Sequence, residues 1–174
     1  MRRIALACCL AALPAAAVAQ PRTVHKEKAS GAEVEFVDHP WRPDIFAAFE
    51  SGGTANEAPR AWAFARLSTS WFLAIDRTVL MPGRYVLVLT PKAGDLPMSL
   101  ELRRGDGREI FADLSAMAPP AGGETVYKAP ASFAAGTDPV PALDITLAGW
   151  SDGLVLTVRY GNRKLTKELA RAGP

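Results

Sequence analysis

The chain has 174 residues, 49% hydrophobic and 22% charged. This is an ordinary globular composition, which excludes disorder along the whole length and any collagen-like, coiled-coil or multi-span membrane reading. The formal net charge is only +2, so there is no electrostatic case for nucleic acid as a partner.

Residues 1–19 read MRRIALACCLAALPAAAVA. Arg2 and Arg3 form a charged start, Ile4 to Val18 an apolar run, and Ala17-Val18-Ala19 a small-residue cleavage site before Gln20. The pattern predicts a secretory signal peptide handled by the general secretory route. The run is shorter than the ~20 residues a membrane span needs, and it contains Pro14. Lipid attachment at Cys8 and twin-arginine export fit less well, because the apolar run before Cys8 is too short and the twin-arginine flanks are missing. Cleavage would remove both cysteines, leaving 18 basic and 18 acidic residues. It would also exclude a disulfide, a thiol nucleophile or a cysteine-held metal. The remaining ~155 residues are enough for one unstapled core.

Residues 20–31 (QPRTVHKEKASG) are polar without period and predict a mobile arm; a single domain is expected over 32–170. Val34 and Phe36 alternate with Glu33 and Glu35, the period of a strand. Prolines at 40 and 43 break it, since each biases its predecessor away from helix. Asp44–Glu50 suits one or two helical turns. Strands are expected at Ala61–Leu67, Trp71–Asp76, Tyr85–Leu89 and Met98–Arg103. Tyr85–Leu89 is apolar on both faces and predicts a central, covered strand. Met98, Leu100 and Leu102 point inward and Ser99, Glu101 and Arg103 outward. Arg104-Gly105-Asp106-Gly107 is a hairpin signal into 108–111. Residues 112–123 and 130–141 read as loops around a strand at Glu124–Lys128. Leu143–Leu147 and Leu154–Tyr160 are strands about a Ser151-Asp152-Gly153 turn. Gly161-Asn162 is a two-residue turn into Arg163–Leu169, although Leu165 and Leu169 alone would also fit a helix. Eight to ten short strands with only short helical turns predict an all-β fold, an antiparallel β-sandwich of jelly-roll or immunoglobulin-like type. The predicted core is Trp62, Phe64, Trp71, Leu73, Tyr85, Leu87, Leu100, Ile145 and Leu156.

Three stretches carry a resemblance: Gly53-Thr54-Ala55-Asn56-Glu57-Ala58, Pro82-Gly83-Arg84-Tyr85-Val86-Leu87 and Tyr160-Gly161-Asn162. Over residues 43–169 their order resembles a family of exported bacterial β-rich domains of unknown function. That family has a Gly-Ala-Asn-Glu-Ala loop, a Pro-Ala-Gly-Thr-Tyr-Ser-Leu turn and strand, and a Trp-Glu-Asn hairpin turn. Here Arg-Tyr stands for Thr-Tyr, and Tyr160 where Trp is usual. The resemblance implies export and a β-rich fold, and no chemistry.

The catalytic inventory is thin. His25 falls in the predicted arm and reads as solvated. His39 follows Asp38, and neighbours in extended chain point to opposite sides. There is no G-x-S-x-G, H-x-H, H-E-x-x-H or acidic calcium loop, so neither a hydrolase triad nor a metal or other cofactor is expected. Asn56 and Glu57 are the polar pair singled out, in a loop before a strand, where function collects. The competing reading is that they brace that loop through its backbone. Trp62 and Trp71 are assigned to the core. Trp41, between prolines, and Trp150, at a turn, are expected to be exposed and to offer aromatic faces. Asn162–Lys167 (NRKLTK) reads as a solvated edge strand whose lysines block edge pairing. The expected ligand-binding residues are therefore Asn56, Glu57, Trp41 and Trp150. The expected function is an exported, non-catalytic binding protein for a small ligand, a glycan or an envelope partner in the periplasm or outside the cell. The alternatives are an envelope polysaccharide hydrolase with Glu57 as general acid or base, and a purely structural domain.

Overall fold

The computed structural model describes residues 23–53, 61–106 and 123–173. The signal segment, the Asn56-Glu57 loop and the predicted strand at 108–111 lie outside the described residues.

The chain is an antiparallel β-sandwich with one short helix. The elements are β1 (Val24–Ala29), β2 (Ala32–Val37), α1 (Pro43–Ser51), β3 (Trp62–Thr69), β4 (Leu73–Ile75), β5 (Thr78–Leu80), β6 (Gly83–Thr90), β7 (Ser99–Arg104), β8 (Thr125–Pro130), β9 (Ala134–Trp150) and β10 (Gly153–Arg171). One sheet has the order β1-β2-β3-β6-β7-β8, and the other β5-β4-β10-β9.

The stretch 20–31 departs from the expected arm: from Val24 it is the edge strand β1, paired with β2 from Val24↔Val37 to Ala29↔Ala32. Ser30 and Gly31 join them at φ 45° and 77°, the left-handed pair of a tight hairpin turn whose twist matches its strands. His25, expected to be solvated, stacks on Phe36 with ring centroids 5.1 Å apart.

β10 is hydrogen-bonded throughout, yet it cannot be one straight strand. Nineteen extended residues would span about 60 Å, while the Arg171 amide donates to the Asp152 carbonyl at 2.6 Å. The chain doubles back at Gly161, whose φ is 59°. This is the expected Gly161-Asn162 hairpin, with glycine supplying the positive φ at the first turn position. The arm 153–160 pairs with β9, and the arm 163–171 reaches β4 through Ala170↔Ala74 and Arg171↔Leu73. The basic stretch expected at a solvated edge is therefore internal to the sheet. Its Lys167 side chain is only 19% exposed. The segment 130–141, expected as loop, is strand from Ala134. It curls around the hairpin tip, with Val140 opposite Gly161 and Ala135 opposite Arg163. The register breaks here, which is where Pro139 and Pro141 can sit without costing ladder bonds.

One core fills the space between the sheets. A bulge in β3 between Ala63 and Ala65 shifts the alternation by one residue, so the core takes Trp62 and Phe64 before it and Ala65 and Leu67 after it. Every residue of the predicted core is buried except Trp71, which is 42% exposed. Val86 and Val88 are buried on the other face of β6 as well, which makes β6 the covered central strand its composition predicts. Beside them Glu101 is buried; it accepts from Thr90 at 3.0 Å, from Arg103 at 2.7 and 2.9 Å and from Lys128 at 2.9 Å. Burial pushes the Glu101 carboxyl up, but the bonds from Lys128 and Arg103 outweigh it and hold it below its ordinary range.

Three seams close the sandwich. At one end α1 buries Phe46 and Phe49 and ends at Gly52, φ 88°; Arg163 reaches back to Glu50 at 2.8 Å. At that corner the two sheets join, since the Trp41 amide donates to the Pro141 carbonyl and the Leu143 amide to the His39 carbonyl. Tyr160 donates to the Pro40 carbonyl at 2.7 Å. At the opposite edge Tyr127 of β8 donates to Asp76 in the β4–β5 turn at 2.5 Å, and Lys167 lies 3.4 Å from the same carboxylate oxygen.

Candidate ligand-binding cleft

The four tryptophans divide differently from the sequence expectation. Trp41 is half-buried, not a free platform. It packs edge-on against Tyr160, centroids 4.7 Å apart, and against Phe46 at 5.5 Å. Its ring lies directly on Gly161, where a β-carbon would come within 2.2 Å of it. Trp41 thus braces the helix end of the sandwich. Trp62 is core, with buried His39 edge-on to it at 5.4 Å. His39 accordingly belongs to the packing.

Trp71 and Trp150 are the exposed pair, 42% and 37%, and they meet at the far end of the sandwich. They line one cleft of about 490 Å³ together with Ser30, Ser70, Ser151 and Arg171. The local sequence explains the seat. β3 stops at Thr69, whose hydroxyl donates to the Trp71 carbonyl at 2.9 Å and accepts from the Trp71 amide at 3.1 Å. This fold-back turns Trp71 out of the β4 alternation, so the core takes Leu73 and Ile75 instead. The Ser70 amide and hydroxyl both donate to the Gly31 carbonyl, at 3.0 and 2.9 Å, tying the β1–β2 turn to the end of β3.

Glycines make room for both rings. A β-carbon on Gly31 would fall 1.9 Å from Trp71 Nε1, and one on Gly153 would fall 3.0 Å from Trp150 Cζ2 and 2.3 Å from the Leu169 carbonyl oxygen. Gly149 likewise leaves room for the Ser30 hydroxyl. The guanidinium of Arg171 lies over Trp71, 3.6 Å from the ring centroid, a stacked cation–π arrangement that suits arginine better than lysine. A second, shallower cleft of about 700 Å³ adjoins the first. It shares Ser30, Gly31 and Ser70 and runs on past Thr69 toward Arg84 and Lys28.

Of the residues expected to bind ligand, the structure places Trp150 in this cleft and Trp41 at the other end of the molecule, and Asn56 and Glu57 lie outside the described residues. Trp71 and Arg171 were not among them. The signal for Trp71 was its Ser70 neighbour, a turn residue that ends β3 before the tryptophan. Arg171, at the end of a strand in the basic segment's own arm, carried no signal.

Among the described residues no helix is long and apolar enough to cross a membrane. Comparison with known protein families, with curated proteins and with solved structures finds no match.

Proposed function

We propose that this chain is an exported, non-catalytic β-sandwich that binds a ligand of the cell envelope, a glycan in the first place, at the Trp71–Trp150 end. The observation that carries the reading is the pair of exposed tryptophans. Each ring is seated on a glycine; the Thr69 hydroxyl holds the Trp71 main chain, and Trp150 is held in the β9–β10 ladder opposite Gly153. A rigid aromatic with one apolar face and a wet rim suits the faces of a sugar ring, and the hydroxyls of Ser30, Ser70 and Ser151 can exchange hydrogen bonds with its rim. Concave clefts with a few convergent polar groups are the usual form of a binding site. The likeness to exported β-rich domains and the signal-like first 19 residues support the export half.

The test is a panel of envelope glycans titrated against the wild type and Trp150→Ala, with a thermal melt to show that the variant folds. A central aromatic anchor should cost at least about tenfold in affinity when truncated. Equal affinity in the two proteins would refute the site. The export reading is checked by the N-terminal mass of the periplasmic protein, which should begin at Gln20; retention of residues 1–19 would refute it.

A further inference from the structure

We infer that the ligand of this end is an extended oligosaccharide bearing carboxylates, with Arg171 as the residue that selects for charge. The inference rests on the reading of the Trp71–Trp150 cleft as a ligand site and adds the class of ligand.

Charge is the first argument. Arg66, Arg103, Arg159 and Arg163 each meet a carboxylate of this chain, Glu35, Glu101, Asp144 and Glu50 in turn. Arg171 makes no ion pair among the described residues and stacks on Trp71 instead. Among the described residues it is the one charged side chain lining the 490 Å³ cleft, and no acidic residue lines it to compete. A guanidinium held 3.6 Å over an indole leaves its N–H groups free to meet whatever enters. Its planar fork matches a carboxylate with two parallel hydrogen bonds. Stacking also fixes a long side chain in advance, which reduces the entropy lost on binding.

Length is the second argument. The two clefts share the floor formed by Ser30, Gly31 and Ser70. Together they exceed the ~300–1,000 Å³ that serves a single small molecule. The floor is backbone turn and small hydroxyl side chains, which suits a chain of rings lying across it. The far part carries two further cations, Arg84 and Lys28, and one acidic residue, Glu33. Lys28 is already engaged by Glu33 at 2.8 Å, and Arg84 sits 3.6 Å from Asp106. The far part should therefore add reach with a smaller charge preference.

The experiment is calorimetric titration of the full mature chain with two probes of equal length, a galacturonic acid hexamer and a neutral maltohexaose, each beside its dimer. The acidic hexamer should bind tighter than the neutral one and than the acidic dimer, and should weaken as sodium chloride is raised. Arg171→Gln should lose roughly ten- to a hundredfold toward the acidic hexamer, the worth of a charged hydrogen-bonded pair, and little toward the neutral one. Arg171→Lys should fall between, since it keeps the charge and loses the fork. Equal binding of both hexamers, lost in Trp150→Ala but untouched by Arg171→Gln, would overturn the charge selection and leave the cleft standing. Equal affinity for dimer and hexamer would overturn the extended ligand. Binding of neither probe would overturn this inference, while the envelope-glycan panel with Trp150→Ala judges the cleft by itself.

Discussion

Replacing Gly161 with alanine asks how firmly the hairpin tip and Trp41 are locked, and three glycines of this chain together separate the parts of the answer. Gly161 has φ 59°, and a β-carbon there would sit 2.2 Å from two atoms of the Trp41 ring. Gly94 has a similar φ of 56° with nothing within 4 Å of an added β-carbon. Holding alanine in the left-handed region costs about 1–2 kcal/mol, and Gly94→Ala should show that cost alone. At Gly161 the ring must also recede, because carbon contacts settle near ~3.5–4.0 Å. Trp41 is boxed in by Tyr160 and Phe46, so the crowding should add the ~1–3 kcal/mol of an overpacked core. Gly161→Ala is expected to lose about 2–5 kcal/mol in total. Gly31 is the third case: an added β-carbon would meet the Trp71 ring at 1.9 Å and the Ser70 hydroxyl at 2.9 Å, but both lie at the surface, where the ring can be displaced only by giving up its seat in the cleft. Gly31→Ala should therefore lose more than Gly94→Ala and less than Gly161→Ala, and should disturb the cleft. Urea melts of the three variants, with unchanged slopes, give the comparison directly. A Gly161→Ala loss no larger than that of Gly94→Ala would refute the seating of Trp41 on the hairpin tip.

Leu87 is fully buried in the central strand, and Leu87→Ala should cost about 2–5 kcal/mol; a loss under about 1 kcal/mol would show the strand is not covered on both faces. Burial pushes the Tyr160 hydroxyl up to about 12 from its ordinary 10. Its contribution is thus fully present below pH 10 and is lost as pH rises through about 12. Melts followed through pH 9–12 should fall more steeply in wild type than in Tyr160→Phe, and parallel curves would refute the assignment. That variant should also lose roughly 1–3 kcal/mol at neutral pH, because the Pro40 carbonyl loses its donor. Glu101 runs the other way: its lowered carboxyl stabilises above pH 4.5, and the stabilisation is lost as pH falls through the depressed value. Glu101→Gln should flatten the acid limb of the stability curve, and an unchanged acid limb would count against the buried ion cluster.

The sheet core was legible because its strands state their faces. Met98, Leu100 and Leu102 alternate with Ser99, Glu101 and Arg103, and each falls on the side the alternation predicts. Even so, Glu101 is buried, because Arg103 of its own strand and Lys128 across on β8 cover it, and no pattern within β7 reveals Lys128. β1 was not legible. Its residues VHKEKA carry no apolar period, since one face is wet and the other is covered only in part, at His25 and Ala29; only Ser30-Gly31 marked the hairpin. Trp71 was misassigned because WFLAID looks apolar throughout, whereas the Thr69 hydroxyl turns the tryptophan outward. Residues 134–141 were read as loop from their prolines, which sit where the ladder is interrupted. The exposure of Trp150 was thus legible, while Arg171 came into view only with the β10–β4 pairing that brings it over Trp71.

The position of the arm 163–171 has a consequence for the order of assembly. This arm lies between β4 and the arm 153–160, so the middle of the second sheet is the latest strand of the described chain to leave the ribosome. β4, made some hundred residues earlier, can pair with β5 at once but cannot join the rest of its sheet until then. Contacts that distant carry a large loop-closure cost and form slowly. The first sheet, whose strands mostly pair with near neighbours in sequence, can form while the second waits. Nascent chains halted before residue 163 should therefore remain protease-sensitive across Leu73–Leu80, and gain protection there only when the final arm inserts.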